Sequence, residues 1–469
     1  MDNTKGKKMK KYIGDKAFYK MVLLIAVPVM IQNGLTNFVS LLDNIMVGQI
    51  GTEQMSGVAI VNQLILVYNL CIFGGMSGVG IFTAQYYGSG DMEGVRHTFR
   101  LKLLVGAVLV GIWFLVFGVF GEELIRMFLR GDAAGSDAER TFAYARDYLH
   151  IMMAGLIPFA LTQTYGGTQR ETGQTVVPMK AGMAAVLVNM ILDYGLIFGK
   201  FGLPKLGVYG AAIATVMARC VEALVVILAT HRNTEKNPFI RGVYRSLYVP
   251  GSLVKQVIKK GTPLLLNETM WSGGMAKLVQ CYSVRGLAVV AGINIATTVS
   301  NVCSIIYIAM GSAIAIIVGQ LLGAGKMEEA VETDRKLIFF SVASCLVGGC
   351  LMAVIAPFFP QIYQTTAEVK QIAKCVIWVM ALCMPLYAFM NATYFTLRSG
   401  GKTVITFLFD SVYVWAVSIP MATLLTRCTD WNVILVYFLV QMLEIIKCII
   451  GFVLVKKGVW LNNMTKTAG

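Results

Sequence analysis

Ala84-Gln85-Tyr86-Tyr87-Gly88-Ser89-Gly90-Asp91-Met92-Glu93 returns 235 residues later as Gly319-Gln320-Leu321-Leu322-Gly323-Ala324-Gly325-Lys326-Met327-Glu328. Both decapeptides close a long apolar run and keep a glutamine, two glycines, a methionine and a glutamate in register. The same shift carries Pro28 onto Pro263, Gly51 onto Gly286 and Gly57 onto Gly292. Further on, Thr168-Gln169-Arg170 and Gly173 match Thr396-Leu397-Arg398 and Gly401 with a shift of 228. The chain reads as two copies of one unit.

What lies between these motifs sets the fold class. Of 469 residues 57% are hydrophobic and only 14% charged, with a mean hydropathy of +0.68. Soluble domains carry ~25% charged residues, so an ordinary cytosolic enzyme, a secreted disulfide scaffold and a disordered chain are all excluded. Twelve apolar segments can be marked, near 18–46, 53–86, 95–120, 141–165, 175–199, 208–230, 253–280, 287–321, 335–358, 369–396, 403–426 and 432–455. Each can cross ~30 Å of hydrocarbon. In lipid the backbone must satisfy its own hydrogen bonds, and these runs are too continuously apolar for barrel strands. The expected fold is an all-α integral membrane protein with twelve transmembrane helices.

The formal charge of +15 is spread in short clusters between the apolar runs, which argues against nucleic acid as a partner. With the amino end inside, cytoplasmic segments hold 27 Lys and Arg and outer loops 8. The positive-inside rule then places both ends in the cytoplasm. The longest polar stretch, His231 to Lys260, divides a six-helix lobe over residues 1–230 from a second over 253–469, with 231–252 as the connecting loop. Six helices per lobe give both lobes one orientation, so the expected architecture is two pseudo-symmetric lobes around a central cavity, as in alternating-access transporters. The basic residues of Arg241–Lys260 suit an anionic lipid surface.

Enzyme and cofactor motifs do not emerge. The ten cysteines lie almost all in apolar runs without CxxC spacing and read as small packing residues. No GxxxxGK[ST] phosphate loop occurs. His97, His150 and His231 stand isolated near segment ends.

Acids inside helices are expensive and need a reason. Glu222 follows Arg219 by three residues and Glu444 precedes Lys447 by three, spacings that allow same-face pairs. Asp147 sits beside Arg146. Asp43, Asp193, Glu268 and Asp410 have no basic neighbour at helical spacing. Asp193 follows Asn189 by four residues, putting an amide and a carboxyl on one helix face. Such a pair can hold a dehydrated cation, and a buried carboxyl without a counter-charge holds a proton instead. Trp271, three residues after Glu268, offers a ring face beside a charge for an organic cation. Gln32 and Asn33 share the first helix with Asp43 and are candidates for the cavity wall. The 26 methionines are adaptable wall material for a site that accepts varied molecules.

Several segments together resemble the multidrug and toxic compound extrusion (MATE) family. They are Leu42-Asp43-Asn44-Ile45-Met46-Val47-Gly48-Gln49-Ile50-Gly51, the Ala84–Gly90 segment with its copy, Thr168-Gln169-Arg170, Asn189-Met190-Ile191-Leu192-Asp193-Tyr194 and Gly210-Ala211-Ala212-Ile213-Ala214-Thr215. The resemblance implies a secondary antiporter that exports organic cations in exchange for protons or sodium, with no enzymatic activity and no cofactor. It also implies a cation site at Asp43, Asn189, Asp193 and Thr215; protonation there would bend or shift the first helix near Pro28, where proline removes a backbone hydrogen bond. Glu268 is similar to the family's seventh-helix acid. The tenth-helix acid of some relatives has no counterpart in Pro385-Leu386-Tyr387-Ala388-Phe389-Met390-Asn391, which puts a second cation site in the carboxyl lobe in doubt. Asp410 has no partner in the motifs and is carried as a candidate cavity residue. A monomer in a bacterial inner membrane is the further implication. The alternatives are a lipid-linked precursor flippase of the same superfamily and, from another class, an intramembrane lipid-modifying enzyme. The first would call for more intramembrane Lys and Arg than Arg219, Lys277 and Lys447, and the second for a histidine or carboxylate pair at one membrane face.

Overall fold

The computed structural model describes residues 12–129 and 136–467. Lys5, Lys7, Lys8, Lys10, Lys11 and Arg130, used above for orientation, lie outside the described residues, as does the side chain of Asn44. The described residues are helical without strands.

Twelve helical segments match the twelve apolar runs. They are α1 (Lys16–Gly48), α2 (Thr52–Gly88), α3 (Met92–Leu129), α4 in two pieces (Ser136–Met153 and Leu156–Glu171), α5 (Val176–Phe198) and α6 (Val208–Arg232). After the polar connection come α7 (Gly251–Ser283), α8 (Leu287–Gly323), α9 (Met327–Ile355) and α10 (Ala367–Ser399). Next are α11 (Thr403–Cys428) and α12 (Val433–Lys456). Ten of these are long and apolar enough to cross a membrane. The other two are α4, which is broken, and α7, whose 33 residues include Lys255, Lys259, Lys260, Glu268 and Lys277.

Local sequence explains where the helices stop and bend. Gly90 and Gly325, equivalent positions of the repeat, take positive φ values of 78° and 75° at the turns after α2 and α8. Asp91 then caps α3 by accepting the Gly94 N–H at 2.9 Å. Asn432 caps α12 in the same way, accepting the Ile434 N–H at 2.9 Å. Pro28 and Pro263 each lie inside the first helix of their half. In α11 the turns Leu408–Val412 and Val414–Ser418 widen into π-helix just before Pro420. The proline ring crowds the carbonyl four residues back, and a wider turn relieves that clash.

Contacts among the described residues gather the helices into two compact units. Residues 31–83 and 91–255 form an amino unit; residues 12–30, 84–90 and 256–467 form a carboxyl unit. The amino unit is built on Tyr68, Ile72, Met76, Phe117, Leu149, Met152 and Leu156, all buried. The carboxyl unit has one core around Cys345, Met352, Cys383, Met384 and Tyr437. A second joins Val22 and Ala26 of α1 to Met310, Ile314, Ile317, Leu397 and Trp460. On α3 the apolar residues Val108, Ile112, Leu115 and Val119 are all exposed at helical spacing. That is a surface suited to lipid tails rather than water.

The repeated decapeptides meet each other inside the carboxyl unit. A Cβ on Gly88 would overlap the Gln320 carbonyl, and one on Gly323 would overlap the Gln85 carbonyl. Two backbones thus cross where only glycine fits. Gln85 is locked there: its amide donates to the Ser399 carbonyl at 2.9 Å and the Asn462 carbonyl at 3.1 Å. Its oxygen accepts the Met464 N–H at 2.7 Å.

Candidate functional site

Asp43 on α1 and Asp193 on α5 come together in the amino unit, their carboxyls within reach of each other and with Asn189 beside Asp193. Asn189 and Asp193 are 3% and 1% exposed, so the four-residue spacing does bury both groups on one face. No Lys, Arg or His forms an ion pair with either acid among the described residues. Two carboxyls this close repel when both are ionised, and a proton or a bound cation relieves that repulsion. Asp193 Oδ2 and Asn189 Oδ1 are buried oxygens without a hydrogen-bond partner in the structure. They are free acceptors of the kind a hard cation or a proton would use.

Asp43 opens onto a cavity of about 390 Å³ walled by α1, α2, α4 and α6. Its polar lining is Ser40, Asn62, Gln63, Asn69, Tyr148, Thr215 and Arg219. Thr215 donates to the Ala211 carbonyl at 3.0 Å and stands beside the Tyr148 hydroxyl. The break in α4 supplies further polarity. Pro158 has no N–H to donate to the Ala154 carbonyl, and the helix breaks at Ala154–Gly155. Nearby carbonyls serve side chains instead: Leu156 accepts the Tyr68 hydroxyl at 2.7 Å, and Gly155 accepts Arg219 at 3.3 Å.

Arg219 corrects one expectation. Its guanidinium lies on the Gly155 carbonyl and 5.1 Å over the Phe159 ring, with no ion pair to Glu222. Glu222 instead borders Gly182 of α5, as does Gln32. Gln32 and Asn33 are half-buried on α1 and do not line the cavity around Asp43. Eleven residues, or ~16 Å of helix, separate Gln32 from Asp43.

The remaining candidates belong to the carboxyl unit. Glu268 on α7 is half-buried, beside Tyr394 and Arg398 of α10. Trp271 is 42% exposed. Asp410 on α11, which has no basic neighbour in its own helix, receives one from α12: Lys447 Nζ lies 2.8 Å from its Oδ1. The same-face pairing expected for Glu444 and Lys447 is therefore not formed, because the ammonium turns to Asp410. Arg146 and Asp147 do pair, at 3.1 Å, and Tyr209 donates to the same carboxylate.

Other polar groups came to light only in three dimensions. Lys102 of α3 is fully buried and ion-paired with Glu171, with Thr168 as a second acceptor at 3.2 Å. Asn62 and Asn69 stand seven residues apart on α2, a spacing that marks one wall of a polar cavity. His97 and His231 are not isolated: the first lies on the Tyr248 carbonyl, the second against the Tyr165 hydroxyl.

The family model MatE matches residues 28–195 and 264–424. The chain belongs to the MATE family. Its curated MATE relatives include the probable multidrug resistance protein NorM of Thermotoga maritima, 23% identical over 411 residues, 87% of this chain and 86% of that one. Another is the probable multidrug resistance protein YoeA of Bacillus subtilis, 23% identical over 426 residues and 89% of each chain. A multidrug resistance MATE transporter solved in an outward-facing conformation shares the fold, with a TM-score of 0.85 at 18% identity over 96% of this chain and 97% of that one. So does a MOP superfamily transporter from Pyrococcus furiosus described as having a binding pocket of reverse polarity, with a TM-score of 0.82, 18% identity and coverage of 96% and 97%. This MATE chain is accordingly a multi-pass membrane transporter of the multidrug efflux family, and its matched segments hold Asp43, Asp193, Glu268 and Asp410.

Proposed function

We propose that this MATE protein is a secondary antiporter that exports organic cations and takes its driving force from protons or sodium at Asp43 and Asp193. The observation that carries this reading is the approach of those two carboxyls, Asp193 buried and Asp43 half-buried at the cavity, without a protein cation. A pair in that state exchanges a proton or sodium ion with the adjoining polar cavity, and each exchange changes what holds α1 to α5. Asn189 and Thr215 add an amide and a hydroxyl oxygen, which suits sodium as well as a proton shared between acids. Pro28 removes one backbone hydrogen bond from α1 and gives that helix a place to bend when its link to α5 is lost.

Several finer readings go with it. Glu268 and Trp271 serve the substrate in the carboxyl half. The protein works as a monomer in a bacterial inner membrane, with both ends in the cytoplasm and residues 231–252 joining two six-helix halves. Alternating access carries the drug outward.

The test is ethidium transport in proteoliposomes under an imposed pH gradient and, separately, an imposed sodium gradient, for the wild type and Asp193→Asn. Transport driven by one ion and lost in the variant supports the reading and names the ion. Undiminished coupled transport in the variant overturns it.

A further inference from the structure

The amino-unit acids leave Lys447 unused, and its surroundings are unusual for a structural ion pair. The Asp410 carboxylate holds the ammonium at 2.8 Å. Two aromatic faces complete the enclosure, with Nζ 5.3 Å from the Phe409 ring centre and 6.0 Å from that of Tyr413. Carboxylate plus ring faces is the arrangement that recognises ammonium groups in general. A carboxylate oxygen of Glu444, one helical turn before Lys447, is buried without a hydrogen-bond partner.

The second layer fixes this arrangement before any ligand arrives. Ser411 donates to both the backbone and side-chain oxygens of Asn267, at 2.8 and 2.7 Å. That leaves the Asn267 amide nitrogen to donate to Asp410 Oδ2 at 3.2 Å and to the Tyr394 hydroxyl at 3.4 Å. The Tyr413 hydroxyl is tied to the Leu443 carbonyl at 2.6 Å, which sets its ring. The widened turn over Leu408–Val412 lets Phe409, Asp410 and Tyr413 of one helix converge on one group. The lysine side chain is 7% exposed, but that of Asp410 is 21% exposed, so the anionic wall is reachable while the ammonium is covered.

We propose that the carboxyl unit contains a binding cage for a primary alkylammonium group, and that Lys447 fills it as a tethered occupant. The cage is formed by Asp410, Phe409 and Tyr413, with Asn267 holding the Asp410 carboxylate in place. An amine-bearing molecule enters by displacing Lys447 from Asp410, so the lysine sets a threshold that weakly held amines do not pass. Nothing in this inference depends on Asp43 or Asp193.

The experiment uses the purified full-length protein and n-propylammonium, which restores the three carbons and nitrogen that Lys447→Ala removes. Binding of radiolabelled n-propylammonium and thermal unfolding are measured for the wild type, Lys447→Ala, Lys447→Met and Lys447→Ala/Asp410→Asn, with sodium chloride and n-propanol as controls. The expected result is one bound amine per Lys447→Ala chain and little in the wild type. The unfolding temperature of Lys447→Ala should fall and be recovered by the amine but not by sodium or the alcohol. Lys447→Met, which fills the space without a charge, and the double variant should not respond. Equal binding in wild type and Lys447→Ala overturns the proposal, as does recovery in the double variant. So does Lys447→Ala that purifies in neither buffer, or that ignores the amine, while Lys447→Met folds; the pair is then purely structural.

Discussion

Asp43 and Asp193 in the amino unit and Asp410 in the carboxyl unit are partnered in opposite ways. In the amino unit Asp43 and Asp193 face each other without a protein cation, beside a polar cavity. In the carboxyl unit Asp410 has its own cation, supplied by Lys447 across a helix contact. A carboxyl pair without a counter-ion depends on something exchangeable, a proton or a metal ion, for its neutralisation. An acid already paired with a lysine has no such need. On the proposed function the Asp43–Asp193 pair exchanges its ion with the solution, whereas Asp410 is already ion-paired within its own unit.

The largest expected effect separates the two directly. Asp193→Asn should abolish gradient-driven ethidium transport in proteoliposomes, leaving only the rate of protein-free vesicles, whereas Asp410→Asn should keep its dependence on the gradient. Gradient-independent transport in Asp410→Asn would erase the distinction. Next comes stability, where the signs should be opposite. Removing one partner of a buried ion pair costs ~3–5 kcal/mol, so Asp410→Asn should lower the unfolding temperature of the detergent-purified protein. Asp193→Asn removes one of two facing acids and should leave that temperature unchanged or raise it.

A smaller loss is expected within the carboxyl unit alone. Gly88→Ala places a methyl on the Gln320 carbonyl, and overpacking of this kind costs ~1–3 kcal/mol. Its unfolding temperature should fall, while Gly90→Ala, with open space around its Cβ but a positive φ, should lose less. The smallest effect belongs to Tyr148→Phe. It removes one hydroxyl beside Thr215 in the cavity and, at ~1 kcal/mol for a neutral hydrogen bond, should weaken apparent affinity for the coupling ion by roughly fivefold with the maximal rate unchanged. A change in the maximal rate alone would place Tyr148 outside the ion site.

These contrasts also show where the sequence was readable. Hydropathy alone marked the twelve helices, since a segment that must satisfy its own hydrogen bonds in lipid has a length and polarity that few other elements share. The repeated decapeptides pointed to a duplicated chain, though not to Gly88 and Gly323 crossing each other's backbone. Asn189 and Asp193 were legible as one helix face because four-residue spacing fixes it. Their meeting with Asp43 was not, since 150 residues separate the acids and only the family resemblance joined them. Lys447 was misread for a related reason. Three-residue spacing favoured Glu444, but the π-helical turns of α11 bring Asp410 to the ammonium instead. The cavity residues Tyr148 and Arg219 depend on the broken α4, whose displaced carbonyls no periodicity reveals.

The central claim is that Asp43 and Asp193 act as one ion-exchanging unit, and non-additivity measures it most directly. Ion-driven ethidium transport should be compared in Asp43→Asn, Asp193→Asn and the double variant, under whichever gradient drives the wild type. If the pair holds a single proton or cation between its two carboxyls, each single variant loses coupled transport as completely as the double. Coupled transport that survives in either single variant, or losses that multiply in the double, would contradict the account.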